Sequence, residues 1–166
     1  VKPKRSTIFI WHTGEEGGLV GSAFFTRNPT VPIDSIVAQI NVDMIGRLKG
    51  FADVHGARTA PGLRTRLTLG NAASDVTMKF HDDHQRNSDH YSFMQRRIPY
   101  LMVDTREHED YHQVTDHADK LDGDKMERIA RLAYWTGWSV ANGAERPRKL
   151  GRSERELPAL GPRPVN

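Results

Sequence analysis

The sequence predicts an α/β protein with a mainly parallel sheet, and three observations carry that prediction. Short β-branched and aromatic runs recur along the chain, at residues 6–11, 35–46, 48–55, 76–80 and 98–103. Segments with helical punctuation or periodicity alternate with them, the order expected when helices cover a parallel sheet. The run 35–46 is nearly continuous in apolar residues, as is a strand buried on both faces.

Each element follows in order. Residues 6–11 (Ser-Thr-Ile-Phe-Ile-Trp) are expected to form the opening strand, and the Gly-rich turn Thr13-Gly14-Glu15-Glu16-Gly17-Gly18-Leu19 frees the backbone to bend sharply into a helix. That helix spans about 18–27 and stops at Asn28-Pro29. After a connection at 31–34 comes the strand 35–46, then a further strand within 48–55 and a helix opened by Pro61-Gly62-Leu63 that runs to about Ser74. A strand at 76–80 leads into the polar stretch 81–87, and Ser88 or Asp89 is placed to cap a helix through Arg97. Residues 98–103 form the last clear strand. The polar loop 104–119 lacks apolar periodicity, whereas 123–142 presents Met126, Ile129, Ala130, Leu132, Ala133, Trp135, Trp138 and Val140 as a helical face that ends near Gly143. Pro147, Pro158, Pro162 and Pro164 among charges indicate a mobile tail, so a domain at 1–143 and a tail at 144–166 are expected.

Composition narrows the chemistry. With 166 residues and ordinary apolar and charged fractions, one soluble globular core is expected. The absence of cysteine excludes disulfides, thiolate ligands and a cysteine nucleophile, which leaves His, Asp and Glu for any metal. The formal charge of +3 is carried by the tail, where six basic residues face three acidic ones, so the body offers no basic face for nucleic acid. No run is long and apolar enough to span a membrane, and no signal peptide is visible.

Three strand ends carry candidate functional residues: Glu15 and Glu16, Asp43, and the loop with His108 and His112. Parallel strands put their carboxyl ends on one sheet edge, where distant residues converge. Oxygen and imidazole donors suit zinc or a related divalent ion. Acidic residues ahead of a helix are also favoured by its dipole. Asp43, set in Ile40-Asn41-Val42-Asp43-Met44-Ile45, is costly to bury without a cation or several donors, with a salt bridge to Arg47 or a turn cap as the structural alternative. His108-Glu109-Asp110-Tyr111-His112 matches H-E-x-x-H, a pattern that works on a helix, yet its polar flanks and the strand just before it argue against one. Asp89 and His90 read as a helix cap and its neighbour, and His12, His55, His81, His84 and His117 as surface or loop histidines.

Taken together, Gly14-Glu15-Glu16-Gly17-Gly18-Leu19-Val20-Gly21-Ser22, Asn41-Val42-Asp43-Met44-Ile45-Gly46, Ser88-Asp89-His90, and Tyr111-His112 followed by Thr115-Asp116 and Asp119-Lys120-Leu121-Asp122 resemble the catalytic half of the M28 family of zinc aminopeptidases. The resemblance implies a three-layer α/β sandwich of the zinc-exopeptidase kind. It implies that Glu15 is the general base, Glu16 a ligand of one zinc and Asp43 a ligand of the other, with His112 joining Glu16 and the Tyr111 hydroxyl supporting the oxyanion. Two zinc ions per complete site, a peptide substrate with a free N-terminus, and export from the cell are further implications. The family also uses a histidine and a bridging aspartate from an H-x-D segment upstream of the Gly-Glu-Glu turn, and the residues before that turn contain none. The chain is therefore expected to be truncated on its N-terminal side, to hold one zinc or none, and to be weak or inactive alone as a metal-dependent exopeptidase. The competing readings are a carboxypeptidase or glutaminyl-cyclase-like relative, and a non-enzymatic or degenerate binding module on the same scaffold.

Overall fold

The computed structural model describes residues 2–148. Four strands, β1 (Gln39–Val42), β2 (Ala52–His55), β3 (Met78–Phe80) and β4 (Tyr100–Asp104), form one sheet in the order β1-β4-β2-β3. β1 and β4 run parallel, as do β2 and β3, and the two pairs meet through an antiparallel pairing of β2 with β4. The carboxyl ends of β1 and β4 therefore share one sheet edge, and those of β2 and β3 lie at the other. Only the first edge can gather the residues expected to converge.

Helices α1 (Val20–Arg27), α2 (Leu63–Asn71), α3 (His90–Gln95) and α4 (Gly123–Asn142) complete the layers. α2 and α4 pack on each other and close the core, in which Leu63, Leu67, Ile129, Leu132 and Val140 meet Ala52, Val54, Leu101 and Val103. Because successive strand residues alternate between faces, Asn41, Asp53, His55, Met102 and Asp104 project to the opposite side, where α3 packs on β1 and β4 and α1 packs on α3. The expected three-layer arrangement results. Among the described residues, no helix is long and apolar enough to cross a membrane.

The long helix forms where its sequence places it. The Asp122 side chain accepts from Lys125 N at 3.1 Å, satisfying an orphan donor of the first turn, and Gly143 follows the last residue. Residues 6–11 depart from expectation. They form no strand, and Phe9 and Trp11 are 74% and 88% exposed. A strand requires a partner for its ladder, and among the described residues no strand pairs with this segment. Nearby tethers are Arg5 N to Ala141 O at 3.1 Å and the Arg5 guanidinium to Val140 O and Gly143 O at 2.9 and 2.8 Å. The expected strand 35–46 shortens to β1, because residues Ile33–Ser35 and Ile45–Arg47 are 3-10 turns and Met44 takes φ +51°. Neither Ser88 nor Asp89 caps α3 through its side chain. Residues 149–166, most of the expected tail, lie outside the described residues.

Candidate functional site

The Gly-Glu-Glu turn is built by backbone geometry that only glycine supplies cheaply. Gly14 and Gly18 hold φ of +67° and +98°. The Glu15 carbonyl accepts from Gly18 N and Leu19 N at 3.0 and 2.8 Å, while Val20 N and Gly21 N reach back to Gly14 O and Thr13 O at 3.0 and 2.8 Å. At Gly21, a Cβ would stand 2.5 Å from Thr13 O and 2.7 Å from Thr13 N, so α1 can press on the turn only because no side chain intervenes. Both glutamates precede Val20, and the first turn of α1 contains no acidic residue. The helix dipole therefore does not account for them.

Asp43 follows β1 directly, its N–H donating to Val103 O at 3.0 Å. Its Oδ2 accepts from Ser88 Oγ at 2.6 Å, and Ser88 Oγ in turn accepts from Asn41 Nδ2 at 2.8 Å. The salt bridge to Arg47 is not formed, since Arg47 Nη2 goes to Asp110 and Asp116 at 2.8 and 2.6 Å.

Tyr111 and His112 sit in the loop after β4, in turns rather than a helix. Tyr111 N bonds His108 O and Gln113 N bonds Asp110 O, each at 2.9 Å, and His112 takes φ +57°. The two histidines of the H-E-x-x-H pattern thus share no helical face. His112 Nε2 lies 3.1 Å from Glu16 Oε1 across 96 residues of sequence, and the His112 ring stacks on Tyr111 with centroids 3.8 Å apart at 21°.

Electrostatics tie these groups together. The Glu15 carboxyl is raised above its ordinary value by burial and by the charges of Glu16, Asp43 and Asp89, with His112 opposing them. Burial raises the Tyr111 hydroxyl as well, helped by Glu16, Glu107, Glu15 and Asp43. A half-buried glutamate with a raised pKa in a field of carboxylates is placed to hold and release a proton.

The donor types suit zinc, but their placement does not enclose it. Among the described residues, no three His, Asp or Glu side chains close around one point. Glu16 and His112 approach each other as two ligands of one ion would, while Asp43 is engaged by Ser88.

Sequence reasoning misplaced one histidine. His55, expected at the surface or in a loop, is 6% exposed at the end of β2, stacked on His81 at 4.7 Å. Its Nδ1 lies 3.3 Å from Asp83 and its Nε2 3.9 Å from Asp104, while His81 bonds Asp53. The alternation Ala52-Asp53-Val54-His55 was the available signal, since it marks one polar and one apolar face. His90 is fully buried against Tyr100, and burial lowers its pKa to about 4.

Comparison with known proteins gives a consistent assignment. The family model described as "Peptidase family M28" matches residues 1–136. A curated relative from Pyrenophora tritici-repentis, described as a probable zinc metalloprotease, is 25% identical over 197 residues, covering 90% of this chain and 45% of its own length. The solved aminopeptidase from Aneurinibacillus sp. strain AM-1 superposes with a TM-score of 0.62 at 25% identity, over 82% of this chain and 33% of its own. Porphyromonas gingivalis glutaminyl cyclase shares the fold at a TM-score of 0.62 and 19% identity, over 80% of this chain and 50% of its own. The chain thus spans less than half the length of the curated relative it matches.

Proposed function

Because this chain belongs to peptidase family M28, we propose that it supplies Glu15, Glu16, Asp43, Tyr111 and His112 to the site of a zinc-dependent aminopeptidase. The observation that carries this reading is the 3.1 Å approach of His112 to Glu16, which joins the loop after β4 to the turn before α1. The zinc metalloprotease description of the Pyrenophora relative supports the metal, and the Aneurinibacillus enzyme supports the aminopeptidase class. Bound zinc, in such sites, polarises the scissile carbonyl and acidifies water.

This chain's own residues divide the remaining work. Glu15, with its raised carboxyl, is the proton-holding group, and the turn that fixes it leaves its neighbour Glu16 directed to His112. Tyr111 keeps its phenolic proton at neutral pH, its pKa being raised, and so offers a hydrogen-bond donor beside His112. A free substrate amine suits a site where the charges of Glu16, Asp43 and Asp89 act together on Glu15. Because the donor set is open, this chain alone is a weak catalyst.

The test is hydrolysis of leucine p-nitroanilide and its N-acetylated form by the zinc-loaded chain, beside the Aneurinibacillus aminopeptidase. Slow or absent release from the free-amine substrate and none from the blocked one is expected. Release at a rate equal to that enzyme overturns the open-site reading, and equal cleavage of both substrates overturns aminopeptidase specificity. Cyclisation of an N-terminal glutamine peptide in preference to hydrolysis moves the assignment to the cyclase chemistry.

A further inference from the structure

The 3-10 turn Ile45–Arg47 starts two residues after Asp43 and touches the loop 105–122 at three places. Thr105 Oγ1 donates to Met44 O at its start. Asp122 N donates to Gly46 O at 2.9 Å, and the space beside Gly46 is filled by Leu121, whose Cδ2 would lie 2.4 Å from an added Cβ. Between these points lies Arg47, its side chain 9% exposed, with Nη2 on Asp110 Oδ2 at 2.8 Å and on Asp116 Oδ1 at 2.6 Å. Asp110 immediately precedes Tyr111, and Asp116 follows His112 by four residues, so one guanidinium grips the loop on both sides of the Tyr111–His112 pair. The second Asp110 oxygen is closed by Thr115 Oγ1 at 2.6 Å and Lys120 Nζ at 2.7 Å. Lys120, Thr115 and Arg47 together hold the Asp110 carboxyl below its usual range.

We propose that Arg47 is a positioning residue for His112: the segment that ends β1 carries Asp43 and, through Arg47 on Asp110 and Asp116, sets the loop that brings His112 to Glu16. The role rests on the reading of His112 and Glu16 as a ligand pair. The strain at His112, a non-glycine residue at φ +57°, indicates that the surrounding contacts over-determine its conformation. Within this loop's charged contacts, the guanidinium is the shared partner of the carboxylates on either side of His112. Lysine does not replace it, because both carboxylates meet at Nη2, one bond farther along the side chain than a lysine ammonium reaches.

Two readouts on the full chain test this. The first is the NMR shift of the His112 ring proton between the two nitrogens, which stacking on Tyr111 displaces by ring current. The second is zinc affinity by competition with a chromophoric chelator. In Arg47→Met the His112 shift is expected to move to its unstacked value and zinc affinity to fall about 10- to 100-fold. In the double variant with His112→Ala, Arg47→Met is expected to cost no further affinity. Asp116→Asn, at a half-exposed position, reports the same effect in smaller measure if Arg47→Met does not fold. Arg47→Lys is expected to restore neither readout. Lys49→Met, which breaks the exposed Lys49–Glu109 pair, is the control expected to leave both unchanged. An unmoved His112 shift in folded Arg47→Met or Asp116→Asn overturns the proposal. A wild-type chain that binds no zinc, with the His112 shift still dependent on Arg47, overturns the ligand reading and leaves the positioning role standing.

Discussion

Replacing Gly21 by alanine and Gly137 by alanine should change stability in opposite directions, although both glycines lie inside helices. In a helix interior, Gly to Ala contributes about 1 kcal/mol through propensity alone. At Gly137 in α4 the new methyl meets Ile40 Cδ1 at 3.7 Å, an ordinary contact, so the full gain is expected. At Gly21 it meets the backbone oxygen and nitrogen of Thr13 at 2.5 and 2.7 Å. Those atoms belong to the turn and cannot rotate aside as a side chain does. Overpacking of this kind costs roughly 1–3 kcal/mol; contact with two fixed backbone atoms places Gly21→Ala at the upper end, so the net loss after the propensity gain is about 2 kcal/mol. For a chain of this size that corresponds to a melting temperature lower by about 4–8 °C, against a rise of about 2–4 °C for Gly137→Ala. Thermal unfolding followed by circular dichroism measures both. Because relief of the clash moves Thr13 and Gly14, Gly21→Ala should also weaken zinc binding through Glu16. A Gly21→Ala chain as stable as wild type would refute the close-approach account of this turn.

Further outcomes follow from the same structure. Glu15→Gln removes a carboxyl whose folded pKa is raised, a group whose stabilising contribution is complete below pH 4.5 and lost as pH rises through its folded value; the variant should melt at or above the wild-type temperature at pH 7, with the gap closing below pH 4.5. In any peptidase assay that registers turnover, the same variant should retain zinc while the rate falls about 10²- to 10⁴-fold. His90, lowered to about 4 by burial, contributes stability that is present above pH 6.5 and lost as pH falls toward 4, so His90→Gln should flatten the melting temperature across that interval. Leu132→Ala, at a fully buried position of α4 in the core, should cost about 2–5 kcal/mol in denaturant unfolding.

What was legible in the sequence was local. α4 was readable because its apolar stripe and the stop at Gly143 lie within the segment itself. The turn around Glu15 was equally readable, since positive φ and close approach demand glycine at fixed offsets. Residues 6–11 were not, because their apolar content is the same with or without a neighbouring strand. Nor was the antiparallel junction of β2 and β4, whose direction is set by how the intervening chain crosses the sheet. At the site, a carboxylate amid apolar neighbours marked Asp43, but its bond to Ser88 and the diversion of Arg47 to Asp110 and Asp116 span 45 to 69 residues and leave no local trace. His55 was misread because a histidine at a strand end is buried or exposed according to what packs over it, here Asp83, Asp104 and His81.

The central claim, that the turn before α1 and the loop after β4 meet in one zinc-binding place, is tested most directly by equilibrium dialysis of zinc against the purified chain, Glu16→Ala and His112→Ala. The account predicts no more than one zinc per chain, with affinity reduced in each variant and not reduced further when the two are combined. Two zinc ions per chain, or an affinity indifferent to both substitutions, would contradict it.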